Sequence, residues 1–117
     1  MDYFSNWYDN FEALLEGDRQ TANLLLKELD LDESDIGTEP WMDDMLCVYP
    51  DLEDYAAYEL VDGWYMNHDF GGDFGGAPNP FDFIDLEAFG QRLIDTGDES
   101  VCSQLPNGKI VTTSYGW

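Results

Sequence analysis

The chain has 117 residues, which is enough for one domain or two very small ones. It carries 26 acidic residues against 4 lysines and arginines, a net charge of −22, yet 44% of its residues are hydrophobic and 15% are aromatic. Because disordered acidic tails are poor in apolar residues, this composition indicates a folded protein, and its charge excludes direct binding to nucleic-acid phosphates.

The N-terminal residues show no positively charged segment and no apolar stretch. We therefore expect neither a signal peptide nor a membrane span, and we expect a cytoplasmic protein. The two cysteines, Cys47 and Cys102, lie far apart and lack the spacing of metal ligands. Reduced thiols are expected, while a single long-range disulfide stays an open alternative.

Hydrophobic spacing predicts two helices at the start of the chain. A helix over 4–16 places Phe4, Trp7, Tyr8, Phe11, Leu14 and Leu15 on one face, at i, i+3, i+4 and i+7. A second helix over about 19–29 buries the leucines at positions 24, 25, 26 and 29. The stretch 30–44 that follows is rich in carboxylates and is broken by Gly37 and Pro40.

The middle of the chain predicts a short strand and a third helix. Met45 to Tyr49 is a short apolar run of the kind that forms a strand. A helix over about 51–66 begins after Pro50 and has acidic residues in its first turn. The glycine- and proline-rich loop 69–80 then marks a boundary between two subdomains.

The C-terminal part predicts a helix followed by a β-hairpin. Asp85 is a candidate N-cap for a helix over 86–95. The segments 100–105 and 109–115 flank Pro106-Asn107-Gly108, and Asn-Gly is the strongest short-range hairpin signal. The predicted fold class is α+β, with an acidic helical part (1–68), a loop (69–80) and a C-terminal helix and β-hairpin (81–117).

The motifs favour neither catalysis nor metal binding. With 26 carboxylates some pairs are adjacent by chance, and His68 is the one histidine that a catalytic triad could use. The Asp-Phe-Gly triplets at 69–71 and 73–75 lack every other kinase element. An EF-hand loop starting at Asp30 fails, because its sixth and twelfth residues are aspartate and tryptophan. We expect a protein that is not an enzyme and needs no cofactor; a small acidic enzyme or metal-binding protein stays an alternative.

The charge itself favours imitation of DNA. Duplex DNA carries one charge per about 1.7 Å, so −22 equals the bare charge of about 11 base pairs. Carboxylates at i, i+3 and i+4 of a helix lie about 5–6 Å apart, a spacing of the same order as that of phosphates. Three such rows are predicted: Asp9, Glu12 and Glu16; Glu28, Asp32 and Asp35; and Asp51, Asp54 and Asp62. A solvated face that aids solubility and adaptation to high salt are the alternative explanations.

Residues 83–93 read FIDLEAFGQRL and are followed by Asp95, Gly97, Asp98 and a glycine-containing hairpin that ends in Tyr115. This stretch resembles the end of ArdA-type antirestriction proteins, which show the pattern Tyr/Phe-Ile-Asp-x-x-Ala-Phe-Ala/Gly-x-Arg/Asp-Leu. The matching residues here are Phe83, Ile84, Asp85, Ala88, Phe89, Gly90, Arg92 and Leu93. Residues 51–66 are more loosely similar to the acidic helical middle of that family.

The resemblance implies a DNA mimic of phages and other mobile genetic elements, which evades host defence by blocking the DNA-binding groove of a type I restriction-modification enzyme. Family members are elongated and usually dimeric, so a homodimer is implied as well. The chain is shorter than those proteins and lacks the signatures of their N-terminal β-domain. An anti-CRISPR protein that binds a Cas effector and prevents target DNA binding is therefore the alternative. Either way, the implied partner is a basic DNA-binding protein in the cytoplasm of a bacterial host cell, with no membrane bound.

The predicted partner-binding residues are carboxylates of the helical segments, namely Asp9, Glu12, Glu16, Asp51, Glu53, Asp54, Glu59, Asp62, Asp82, Asp85 and Glu87. No catalytic residue and no metal ligand is predicted. Trp41, Tyr58, Trp64 and Tyr65 fit either the core or an interface, where aromatic residues are enriched.

Overall fold

A computed structural model describes residues 3–68, 70, 74–97, 100–114 and 116–117. Within these residues the elements are β1 (Asn6–Tyr8), α1 (Phe11–Gly17), α2 (Arg19–Glu28), β2 (Leu46–Tyr49), α3 (Leu52–Val61), α4 (Leu86–Thr96), β3 (Cys102–Gln104) and β4 (Ile110–Thr113). Short 3-10 turns lie at 33–35, 40–43, 66–68 and 80–83. The combination of α-helices with an antiparallel sheet confirms the α+β class.

The described strands form one antiparallel sheet in the order β1-β2-β4-β3. The central pair joins β2 to β4, with Leu46 opposite Thr113 and Tyr49 opposite Ile110. Because β2 precedes the loop 69–80 and β4 follows it, the two parts predicted as subdomains contribute strands to the same sheet.

Helices cover both faces of this sheet, so all four residues of β2 are buried. Side chains alternate along a strand, so Leu46 and Val48 face one way and Cys47 and Tyr49 the other. The first pair packs in a core with α1 and α2, and the second pair packs against α3 and α4. The result is a three-layer arrangement in which helices form the two outer layers, and the acidic residues of these helices lie mainly on α1, α3 and α4.

The helix predicted over 4–16 is wrong for the residues before Phe11. Asn10 has an extended backbone, and its side chain accepts a hydrogen bond from the backbone N–H of Ala13 at 2.9 Å. This is an N-cap, so α1 begins at Phe11 and the preceding segment is free to form β1. Phe4 and Trp7, which were expected on a buried helix face, are 72% and 54% exposed.

The other predicted helices are present with shorter or similar bounds. The helix expected to reach residue 66 ends at Val61, where the N–H groups of Asp62 and Gly63 both donate to the carbonyl of Tyr58 at 2.8 Å. Asp85 caps α4 as predicted, accepting a hydrogen bond from the N–H of Ala88 at 3.1 Å. Among the described residues, no helix is long and apolar enough to cross a bilayer.

The predicted C-terminal hairpin is confirmed by the pairing of β3 with β4. Its turn places Gly108 at a φ of 91°, a backbone conformation that glycine adopts readily. The N–H of Gly108 donates to the carbonyl of Leu105 at 3.0 Å, which closes the turn. Asp98 and Tyr115, which belong to the ArdA-like stretch, lie outside the described residues.

The molecule is elongated, with extents of 55 × 23 × 22 Å. Its radius of gyration is 15.4 Å, whereas a compact domain of this length would have about 13 Å. The two outer layers are therefore spread along a rod rather than over a sphere.

Candidate partner-binding surfaces

The N-termini of α3 and α4 bring three predicted carboxylates together. Asp51, Glu53 and Glu87 line one cavity of about 290 Å³, and we call these three residues the two-helix acidic cluster. All three are exposed. Asp51 is also the N-cap of α3, accepting a hydrogen bond from the N–H of Asp54 at 2.9 Å. Helix N-termini favour negative charge, so the fold can hold these acids near one another.

A close approach of the two helices fixes this cluster in place. Gly90 of α4 is buried against the backbone of Leu52, and a Cβ at position 90 would lie 2.5 Å from the Leu52 carbonyl oxygen. Only glycine lets the start of α3 lie this near α4. The glycine of the ArdA-like stretch thus has a packing role here.

The first predicted acidic row is present in part. Glu12 and Glu16 are exposed and one turn apart on α1, but Asp9 precedes the N-cap and lies outside the helix. Glu12 also shares a cavity of about 100 Å³ with Asp43, which the sequence did not single out. Asp43 comes from a 3-10 turn more than 30 residues away, so helical spacing could not have linked it to Glu12.

The second predicted row is wrong, and the third is present in part, with Asp51 and Asp54 together at the start of α3. α2 ends at Glu28, and Asp32 and Asp35 belong to a separate 3-10 turn in which the Asp35 carboxylate accepts from the N–H of Asp32 at 2.9 Å. Asp51 and Asp62 cap opposite ends of α3, so they are separated by about 16 Å along the helix axis.

Two of the predicted binding residues anchor the N-terminal segment instead. Asp62 accepts a hydrogen bond from the Tyr3 hydroxyl at 2.5 Å, and this bond is the chief reason that the pKa of Tyr3 rises to about 12. Asp54 accepts from the backbone N–H of Phe4 at 3.1 Å. Burial raises the pKa of Asp54 despite that bond. Both carboxylates hold the scaffold and are less available to a partner.

Asp82 lies in the 3-10 turn before α4 and is exposed. Like Glu12, Glu16, Glu53 and Glu87, it accepts no hydrogen bond from the part of the chain that the structure describes. These five carboxylates are the predicted binding residues with the greatest freedom to meet an external cation.

One acidic residue that the sequence did not single out joins three elements. Asp18 ends α1, caps α2 and accepts hydrogen bonds from the N–H and hydroxyl of Thr21 at 3.2 and 2.6 Å. Lys109, from the C-terminal hairpin, forms an ion pair with it at 2.9 Å. Burial opposes ionisation, but the bonds from Thr21 and Lys109 hold the pKa of Asp18 below its usual value.

An apolar groove opens beside α3, where α3 and α4 leave part of the sheet uncovered. It measures about 320 Å³, and we call it the aromatic groove after its walls of Trp7, Met45, Tyr55, Tyr58 and Trp64. Trp64 is 83% exposed, and Trp7 and Met45 are 54% and 47% exposed. Large apolar side chains this exposed and this close together are typical of interaction sites.

Glu59, a predicted binding residue, lies in the wall of the aromatic groove. It is half-buried, and its Oε2 accepts a hydrogen bond from the backbone N–H of Trp64 at 3.1 Å. Burial raises the pKa of Glu59, although the bond from Trp64 partly offsets this effect. Gly63 makes the contact feasible, since a Cβ there would lie 2.8 Å from the Glu59 Cα.

The two cysteines lie on the groove side of the sheet and are both free thiols. Cys47 of β2 and Cys102 of β3 each face Thr112 on the strand between them. Strands lie about 4.8 Å apart, so the two Cα atoms are separated by about 10 Å, too far for a disulfide. Burial raises the pKa of Cys102 to about 11, which keeps the thiol protonated.

Among the described residues, no group of three or more histidine, cysteine, aspartate or glutamate side chains is arranged to hold a metal ion. The candidate features of the described residues are the exposed carboxylates of the helical layers and the aromatic groove on the α3 and α4 side of the sheet. Compared with known proteins, the chain matches no family model, no curated protein and no solved structure.

Proposed function

We propose that this protein is a stoichiometric inhibitor that imitates DNA and blocks the DNA-binding groove of a bacterial defence enzyme, such as a type I restriction-modification complex. The main observation behind this proposal is the combination of a net charge of −22 with an elongated shape. The proposal assigns no turnover to the protein, and its partner is a basic groove that normally holds a duplex.

Charge density along the long axis supports this proposal. A net charge of −22 over 55 Å is one charge per 2.5 Å. Duplex DNA has one charge per about 1.7 Å, so the protein reaches about two thirds of that density. A basic groove that attracts DNA through its phosphates would attract this rod by the same long-range field.

The positions of the free carboxylates also support it. Glu12 and Glu16 lie on the layer formed by α1 and α2, while Glu53 and Glu87 lie on the opposite layer. Like charges held at fixed positions repel one another in the free protein. A positively charged groove relieves that repulsion, and the relief adds to the free energy of binding.

The alternative is an anti-CRISPR protein that docks on one site of a Cas effector through specific contacts. The aromatic groove favours this alternative, because Trp64 is 83% exposed beside a half-buried carboxylate. Exposed tryptophan is enriched at interface hot spots, where a few residues dominate binding.

A competition assay tests the proposal. Labelled duplex is bound to a type I restriction enzyme, or to a Cas effector in a parallel series, and the protein is added at rising salt. Mimicry predicts displacement of DNA at stoichiometric amounts, and an inhibition constant that weakens steeply as salt screens the charges. Inhibition that does not change with salt would contradict mimicry.

Variants separate the two alternatives. Under distributed mimicry, Glu53→Gln, Glu87→Gln and Glu12→Gln each weaken inhibition slightly, and the triple variant weakens it in proportion. Under single-site docking these three variants leave inhibition unchanged, whereas Trp64→Ala abolishes it. Because the four side chains are all exposed, the variants should retain the fold.

A further inference from the structure

Beneath and beside the aromatic groove, a row of side chains crosses the sheet. Strand pairing places Trp7 opposite Cys47, Cys47 opposite Thr112 and Thr112 opposite Cys102. Residues in register on adjacent strands point to the same face, so Trp7 stands at one end of this row and the hairpin at the other. The groove is therefore built on the most regular part of the fold, not on a loop.

The walls of the groove are largely aromatic and come from different elements. Tyr55 and Tyr58 come from α3, Trp64 comes from the segment after it, and Trp7 comes from the edge strand. A cation held over aromatic faces is attracted by the ring quadrupole, and the attraction grows where water is excluded. The groove volume of about 320 Å³ is at the lower limit for small-ligand pockets and suits one inserted side chain.

One carboxylate, that of Glu59, lies in the wall of this aromatic site. The Glu59 Oε2 is held by the N–H of Trp64, while Oε1 accepts no hydrogen bond among the described residues and is not buried. The Glu59 charge contributes to the raised pKa of both Tyr55 and Tyr58, after burial as the main cause for each. No lysine or arginine lines the groove among the residues described, so Glu59 lacks a local counter-charge.

We propose that the aromatic groove binds one arginine side chain of the basic partner protein, with the guanidinium stacked on the aromatic walls and hydrogen-bonded to Glu59. Arginine fits better than lysine because its planar group both stacks on rings and forms paired hydrogen bonds with carboxylates. A second copy of this chain is disfavoured as the occupant, since each copy carries −22. The inference rests on the proposed function only in taking the partner to be a basic protein.

The test uses the intact protein and short blocked peptides, with no defence enzyme present. A peptide with one arginine between glycines is titrated at 0.15 M salt, together with matched peptides that carry lysine, citrulline or norleucine instead. Binding is followed by the indole N–H signals of Trp7 and Trp64 in NMR spectra. We expect saturable shifts of both signals with the arginine peptide, weaker binding of lysine, and no binding of citrulline or norleucine.

Two variants with equal charge changes provide the control. Glu59→Gln should weaken arginine binding about tenfold, the effect of losing one charged hydrogen bond, while Glu53→Gln in the two-helix acidic cluster should leave it unchanged. Trp64→Ala, at an exposed position, should also abolish the shift of Trp7. Equal weakening by Glu53→Gln would indicate nonspecific charge attraction and overturn the proposal.

The remaining outcomes are also decisive. Equal binding of norleucine would show a purely apolar site, and equal binding of citrulline would show that charge is not recognised. Equal binding of lysine would overturn the preference for a guanidinium. These measurements do not involve competition with DNA. The proposal of arginine binding can therefore be refuted while the proposal of DNA mimicry stands, and the reverse is also possible.

Discussion

Replacement of Asp18 by alanine should destabilise the protein even though it removes one negative charge from a chain with −22. Asp18 caps α2, and loss of such a cap costs about 1 kcal/mol. The hydroxyl of Thr21, which is fully buried, donates to Asp18 and would lose that acceptor, at a further cost of about 1–3 kcal/mol. The expected loss is therefore about 2–4 kcal/mol in the free energy of unfolding.

Thermal and urea unfolding followed by circular dichroism measure this loss. For a domain of this size, about 2–4 kcal/mol lowers Tm by roughly 8–16 °C. Glu16→Ala is the matched control, because Glu16 is exposed on α1 and accepts no hydrogen bond within the described chain. Asp18→Asn should fall between the two, since asparagine keeps the cap but loses the charge that pairs with Lys109.

The pH dependence of stability is a second, independent test of the role of Asp18. Because the folded state holds the pKa of Asp18 below its usual value, the ionised carboxylate stabilises the fold above that value. The contribution is lost as the pH falls through the lowered pKa. The stability difference between the wild type and Asp18→Asn should therefore shrink below about pH 4. If Asp18→Ala unfolds at the same temperature as Glu16→Ala, the scaffold role assigned to Asp18 is wrong.

Three further predictions concern packing, salt and protonation. Gly90→Ala should lose about 1–2 kcal/mol of stability, because the contact with the Leu52 carbonyl outweighs the better helix propensity of alanine; a gain in Tm would refute the close approach. Raising salt from about 0.01 M to about 0.15 M shortens the Debye length from about 30 Å to about 8 Å and should raise Tm, and a fall would show that self-repulsion is unimportant. Burial raises the pKa of Glu59 in the folded state. Ionisation of this carboxyl group therefore lowers the free energy of unfolding as the pH rises above the usual glutamate range. Glu59→Gln should therefore gain stability relative to wild type as the pH rises above that range, and a gain no larger than that of Glu53→Gln would contradict the burial of Glu59.

Local signals in the sequence were sufficient for much of the fold. Asp85 as an N-cap and Asn107-Gly108 as a turn were predicted correctly, because both depend on hydrogen bonds and backbone angles within a few residues. The leucine-rich second helix was also predicted, and Leu25 and Leu26 are buried. Leu24 is only half-buried, since the sheet covers one side of that helix alone.

The error at the N-terminus has a physical cause. Phe4, Trp7 and Tyr8 satisfy helical spacing together with Phe11, but the same residues also fit an edge strand followed by a capped helix. The N-cap at Asn10 decides between the two structures. The edge strand that it leaves free pairs with β2, some 40 residues away in the sequence. Spacing alone cannot detect that pairing.

For the candidate surfaces too, the sequence predicted local neighbours and missed those brought together by the tertiary fold. Helical spacing was enough to predict that Glu12 and Glu16 lie together, but not that Glu12 and Asp43 line one cavity or that Glu53 and Glu87 line another. The aromatic groove depends on strands from both ends of the chain and on the turn at Gly63. Such contacts arise from tertiary pairing, for which a single sequence holds no direct signal.

Apart from the half-buried Glu59, the carboxylates described above fall into two classes with opposite expected effects when neutralised. Asp18, Asp51, Asp54 and Asp85 each accept hydrogen bonds from backbone N–H groups, so neighbouring donors offset their charge inside the fold. Carboxylates such as Glu53 accept no such bond from the residues that the structure describes, and their mutual repulsion remains until an external cation binds. A chain can therefore fold at −22 if the first class fixes the scaffold, and it can bind tightly if the second class is left unsatisfied. Neutralising carboxylates of the second class should therefore stabilise the free protein and weaken its complex with a partner. This pair of opposite effects distinguishes a binding surface from a surface that only keeps the protein soluble.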